Sequence, residues 1–201
     1  MPYDIDEHRY RFAVWAAGRA YARGKDSSGC TVEMAKSLID ASGLGEIRTL
    51  RDLPVEPSEI DQWVFSWITR VRWAARGRHV PNSSGKKAVS TKLIFSYGRA
   101  QKLVNVYLKS MIVCAGNESD ARVKFLHPPI DRELLAALKK VKPLHEAQKY
   151  LQLFTDADRL EHSWTKFRKC DYVAYLNAIK QFQGSEPLWA VEEHWEPGRE
   201  R

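Results

Sequence analysis

Residues 58–77, SEIDQWVFSWITRVRWAARG, decide the fold class. Ile60, Trp63, Val64, Trp67, Ile68 and Val71 fall at i, i+3, i+4, i+7, i+8 and i+11, an apolar stripe with the period of a helix. Ser58 is placed to cap it, and Glu59 and Asp61 bring negative charge to the positive end of the helix dipole. Arg70, Arg72 and Arg76 fall off the stripe, so they face solvent or a ligand.

Outward from this helix the same period recurs. Toward the N-terminus, a helix from about Asp4 to Arg23 carries Phe12, Trp15 and Ala16 at helical spacing, with Gly24 as its stop. Thr31 caps a second helix bearing Val32, Ala35, Leu38 and Ile39, which ends at SGLG; TLRDLPVEPSE is then an irregular connection. Toward the C-terminus, GRHVPNSSGKK reads as a basic loop. A helix runs from about Thr91 to Cys114, broken near Tyr97–Gly98. Its second half sets Leu103, Val104, Tyr107, Leu108, Met111 and Ile112 on one face and Lys102, Asn105 and Lys109 on the other.

After a connector ending in Pro-Pro, Asp131 opens the helical IDRELLAALKK. A short helix around 144–154, a polar segment to His162, a helix over 171–183 and an amphipathic EPLWAVEEHW complete the chain. No run of alternating β-branched residues occurs. The expectation is an all-α fold of eight or nine helices in a single domain, or in two small lobes, 1–57 with the C-terminal helices and 58–140.

Several function classes are excluded or disfavoured. No apolar run approaches the ~18 residues of a membrane span, and MPYDIDEHRYRF is too charged for a secretory signal, so a cytoplasmic, nucleoid-associated protein with no membrane partner is expected. Cys30, Cys114 and Cys170 are odd in number and lack a CxxC pair, which suggests reduced thiols rather than a disulfide framework or metal site. The six histidines are scattered, and the GxSxG, Walker A and HExxH patterns are absent. No cofactor and no metal are expected. RGRHVPNSS places an Arg and a His as HEPN-type ribonucleases do, but Gly77 and Pro81 interrupt the helix that such a pair needs.

The net charge is +7, and its distribution says more than its size. Between Asp61 and Glu118 there is no acidic residue, while Arg70, Arg72, Arg76, Arg78, Lys86, Lys87, Lys92, Arg99, Lys102 and Lys109 all fall inside. A block of one sign attracts a polyanion by releasing its condensed counterions, and nucleic acid is the usual polyanion in a cell. The competing reading is pairing with acids elsewhere, among them Glu192, Glu193, Glu196, Asp4, Asp6 and Glu7. If the block binds DNA, Arg72, Arg76, Lys86 and Lys87 contact phosphate, positioning the duplex without reading it.

The string GRAQKLVNVYLK from Gly98, followed by PPIDRELLAAL, resembles the helix-hairpin-helix DNA glycosylases, most closely the archaeal and bacterial 8-oxoguanine glycosylase/lyase branch. The resemblance covers about 40 of the 201 residues. It puts Gly98 on the first hairpin glycine, Lys102 on the nucleophilic lysine, Lys109 on a basic residue closing the pattern, and Asp131-Arg132 on the aspartate-arginine pair. Ala100 stands where the second hairpin glycine belongs. The resemblance implies excision of a damaged or modified base, with or without strand nicking. Lys102 is then the nucleophile, and Asp131 the carboxylate that stabilises the sugar cation.

The same reading places Gly98, Arg99, Gln101 and Lys109 at the DNA, and Tyr97, Asn105, His127 and Trp164 around the extruded base. Its partner is double-stranded DNA with one base flipped out, bound by a monomer. Beside it stand the plainer readings: Lys102 as an exposed helix lysine, Asp131 as an N-cap, and the whole chain as a helical nucleic-acid-binding or regulatory module without catalysis.

Overall fold

Helix α4 (Tyr97–Met111) is buried along nearly its whole length, and of its fifteen residues only Arg99, Val106, Lys109 and Ser110 keep partial exposure. A helix enclosed on all sides is a central element, and the others pack around it. In the computed structural model, residues 3–20, 30–81, 90–93, 95–141 and 148–194 are described. Among them lie α1 (Ile5–Arg19), α2 (Val32–Ser42), α3 (Ile60–Ala74), α5 (Arg132–Leu138), α6 (Gln148–Leu160) and α7 (Lys169–Gln183). Short 3-10 turns fill the connections, including Trp164–Lys166 and Leu188–His194. The fold is all-α, and one apolar core runs through it. None of the described helices is long and apolar enough to cross a membrane.

Helix α3 forms as its stripe dictates. Ile60, Val64, Trp67, Ile68 and Val71 are buried against α2 and α4, each burial stabilising the fold by about 1.5–3 kcal/mol. Its first turn is a 3-10 turn, Pro57–Glu59, so the α-helix proper begins two residues beyond the expected cap Ser58. Thr31 does cap α2, accepting from the amide of Met34, and Gly43 ends it at φ 79°, where a side chain would be strained.

Four expectations are corrected. In α1 the buried face is Tyr10, Ala13, Val14, Ala17 and Gly18, while Phe12 and Trp15 point outward. Small residues win because the backbones come close: a Cβ on Gly18 would meet the Cα of Val32 at 2.7 Å. The basic loop after α3 is in part an antiparallel hairpin, β1 (His79–Pro81) with β2 (Ser90–Lys92), in which His79 pairs with Lys92. Consequently α4 starts at Tyr97, capped by Ser96, and not near Thr91. Helix α6 continues through Leu160, across the stretch expected to be a polar connection.

Candidate functional site

The polar residues of α4 are turned inward. Gln101 is fully buried, its Nε2 donating to the carbonyl of Ile130 at 2.5 Å and its Oε1 accepting the Ile130 amide at 3.1 Å. Asn105, one turn on, shares its Nδ2 hydrogens among Gln101 Oε1, the Pro128 carbonyl and the Tyr172 hydroxyl at 3.0–3.1 Å. These bonds tie residues 128–130 to the flank of α4. Asp131 follows, caps α5 through the Leu134 amide at 3.0 Å, and thereby faces the residue beside Gln101.

That residue is Lys102. Its Nζ lies 2.8 Å from Asp131 Oδ2 and 4.8 Å from the ring centroid of Trp164. The two side chains are only 11 % and 14 % exposed, so the pair is desolvated and removing either partner strands a charge at about 3–5 kcal/mol. A second pair adjoins it: Lys109 Nζ donates to Glu192 Oε2 at 2.7 Å, from the Leu188–His194 turn. Burial pushes the Glu192 carboxyl above the usual range, the charge of Asp131 adds to the shift, and Lys109 and Lys102 oppose it. Two ammonium and two carboxylate groups from α4, the start of α5 and the C-terminal turn thus form one cluster. Glu192 was legible in the sequence only as an available acid, since nothing local ties it to Lys109, 83 positions earlier.

The convergence of Lys102 and Asp131 was expected, whereas most of the surroundings were not. Gly98 makes no hairpin: residues 97–100 are helical, the Gly98 amide donates to the Phe167 carbonyl, and its α-carbon lies against the Trp164 backbone. Gln101 is enclosed and reaches no phosphate, and Lys109 is engaged by Glu192. Arg99 keeps partial exposure on the first turn of α4. Of the expected base-contacting residues, Trp164 does stand beside the Lys102 amine, but Tyr97, Asn105 and His127 are core residues.

His127 illustrates why those residues turn inward. Its ring is buried, which holds its pKa below the ordinary histidine value and keeps it neutral near pH 7, despite the opposing hydrogen bond to Asp61. Nε2 lies 2.9 Å from Asp61 Oδ1 and Nδ1 lies 2.9 Å from the Tyr172 hydroxyl. A carboxylate can only accept, so Nε2 carries the hydrogen and Nδ1 accepts from Tyr172. Lys180 also bonds Asp61, completing a chain from Asn105 through Tyr172, His127 and Asp61 to the surface. Most polar atoms in that chain are used by a neighbour, the usual condition for burying polar groups, and Asn105 Oδ1 is the exception, buried without a partner among the described residues.

A different region carries free cations. Arg70 and Arg72, near the C-terminal end of α3, and Arg76, in the turn just after it, are exposed, as is Lys92 on β2. Among the described residues no carboxylate forms an ion pair with Arg70, Arg72, Arg76 or Lys92. Each arginine instead lies over an aromatic ring: Arg70 over Trp67 at 4.6 Å, Arg72 over Tyr97 at 5.7 Å, and Arg76 over Trp73 at 3.4 Å. Arg72, Arg76 and Lys92 line a pocket of about 110 Å³ whose apolar wall is Ala75, Leu93 and Phe95. Lys86 and Lys87, expected at phosphate, lie outside the described residues. Trp73 was not singled out in the sequence, although its spacing of three from Arg76 is one at which side chains on a helical turn meet.

No family model matches the chain, and neither a curated protein nor a solved structure matches it.

Proposed function

We propose that this protein binds nucleic acid by its phosphate backbone, through the arginine-bearing end of α3 and the adjoining hairpin. The observation that carries the reading is the pocket lined by Arg72, Arg76 and Lys92, none of which is neutralised by a described carboxylate. The cations buried beside α4 are by contrast paired, Lys102 with Asp131 and Lys109 with Glu192. Leaving three cations unpaired around one depression costs self-repulsion, which a bound polyanion relieves. The aromatic rings beneath the guanidinium planes orient them and leave their N–H edges for phosphate oxygens. The test is oligonucleotide binding across a salt series. Affinity should fall steeply with salt, and Arg72→Ala or Arg76→Ala should each weaken binding on every sequence and reduce the log–log slope by about 0.7–0.9. Salt-independent binding, or variants that bind like the parent, would refute it.

A second reading is base excision, favoured by the 2.8 Å separation of the Lys102 amine and the Asp131 carboxylate. In that chemistry Asp131 takes a proton from the Lys102 ammonium, and the freed lone pair bonds C1′ of a deoxynucleoside. The glycosidic C–N bond breaks with its electron pair leaving on the base, which takes up a proton. Since the pair is largely covered, a nucleoside reaches it only if Trp164 or the Leu188–His194 turn moves aside. Borohydride added during incubation with a panel of lesion-bearing duplexes should trap a covalent adduct that Lys102→Gln abolishes. Absence of any adduct or abasic site leaves the pair as a structural tie between α4 and α5.

A further inference from the structure

The shape of the arginine pocket specifies which form of nucleic acid it suits, an inference that rests on the binding reading above. A volume of about 110 Å³ is well under the roughly 300–1,000 Å³ of pockets that enclose an organic ligand. A nucleoside does not fit, whereas a phosphate group among three cations does. Any base attached to that phosphate must therefore lie outside the pocket, on the neighbouring surface.

What lies there is Trp73. Arg76 both lines the pocket and stacks on the Trp73 indole, its guanidinium carbon 3.4 Å from the ring centroid. Trp73 itself is 59 % exposed, although it belongs to a helix whose other tryptophans are half-buried or buried. An exposed indole beside cations offers apolar surface that a planar ligand can cover, with a gain from removing that surface from water. A guanidinium already stacked on one side holds the ring plane and adds a cation–π attraction. Trp73 is otherwise largely exposed, and Arg76 joins it to a phosphate-sized anion pocket.

We infer that this is a subsite for an unpaired nucleotide, with its phosphate among Arg72, Arg76 and Lys92 and its base stacked on Trp73. Bases within a duplex present only their edges, since both faces of each are occupied by neighbours. Stacking on Trp73 is available to single strands, ends and gaps, and tolerates any base because each has a π face. The interface is accordingly selective for unpaired polynucleotide, and duplex is held by backbone contacts alone.

The test measures fluorescence anisotropy of a labelled single-stranded oligonucleotide and of its blunt duplex, at equal length and salt, with deoxy and ribo forms run in parallel. The parent protein should bind a single strand of at least one sugar type more tightly than duplex. Trp73→Ala should weaken single-strand binding about 5- to 150-fold, the effect of losing roughly 1–3 kcal/mol of stacking, and leave duplex binding nearly unchanged. Trp73→Phe should recover most of the loss. Equal weakening on both forms, no weakening, or a preference for duplex overturns the subsite while leaving backbone binding in place. If neither form binds at any salt, the binding reading fails, and the subsite with it.

Discussion

A single absent carbon sets how α4 meets the turn at Trp164–Lys166. A Cβ built on Gly98 would lie 1.7 Å from the Trp164 carbonyl oxygen, 2.9 Å from its carbon and 3.0 Å from Phe167 Cβ. Backbone atoms cannot rotate away as a side-chain tip can, so the turn must retreat from the helix. Gly98→Ala therefore loses more than the ~0.5–1 kcal/mol that alanine gains over glycine inside a helix. A net destabilisation of about 1–3 kcal/mol is expected, read as a fall in Tm of roughly 2–4 °C per kcal/mol for a chain of this size. The Trp164 ring rests near the Lys102 amine, so the same variant should disturb that contact, visible as a changed near-ultraviolet dichroism. An unchanged Tm would mean that the turn is not held against α4 as described.

At the scale of elements, what the sequence discloses depends on where each residue's partners lie. Helix α3 was legible because its stripe and first-turn carboxylates are properties of the segment itself. The start of α4 was not, since residues 90–92 are drawn into a strand by pairing with 79–81, across a span of chain that no local pattern encodes. On α1, periodicity marks Phe12 and Trp15 as the apolar face, but close approach to α2 and α4 selects the small Ala13, Ala17 and Gly18. The polar face of α4 misleads in the same way. Gln101 and Asn105 look solvated by their chemistry, yet their partners at Pro128, Ile130 and Tyr172 stand 23 to 67 positions away. The Lys102–Asp131 pairing came from resemblance alone. Spacing by itself left both side chains with the simpler readings of exposed lysine and helix cap, and the cap reading holds together with the ion pair.

For the whole molecule, three buried or half-buried groups set how stability responds to acid, and their signs differ. His127 has its pKa depressed by burial, so below about pH 6.5 the unfolded chain takes up a proton that the folded one refuses, and stability falls with pH. Glu192 is raised, so as pH falls through its folded value toward about 4.3 the folded state binds the proton first, and stability rises. Where both groups titrate, below about pH 6.5, their effects oppose each other. Asp61 acts lower down. Burial tends to raise its carboxyl, but hydrogen bonds from His127 and Lys180 outweigh that and bring it to about 2. Its contribution is present above the unfolded value near 3.9 and is lost as pH falls toward 2. The melting temperature should therefore fall less between about pH 6.5 and 4.3 than His127 alone would make it, and drop steeply below about 4. Glu192→Gln removes the compensating group, so its Tm should decline across the upper window, following His127 alone. Asp61→Asn should bind about one proton fewer on unfolding below pH 4 and show a shallower final drop. A Glu192→Gln profile parallel to that of the parent would show that the carboxyl at Lys109 titrates near its ordinary value.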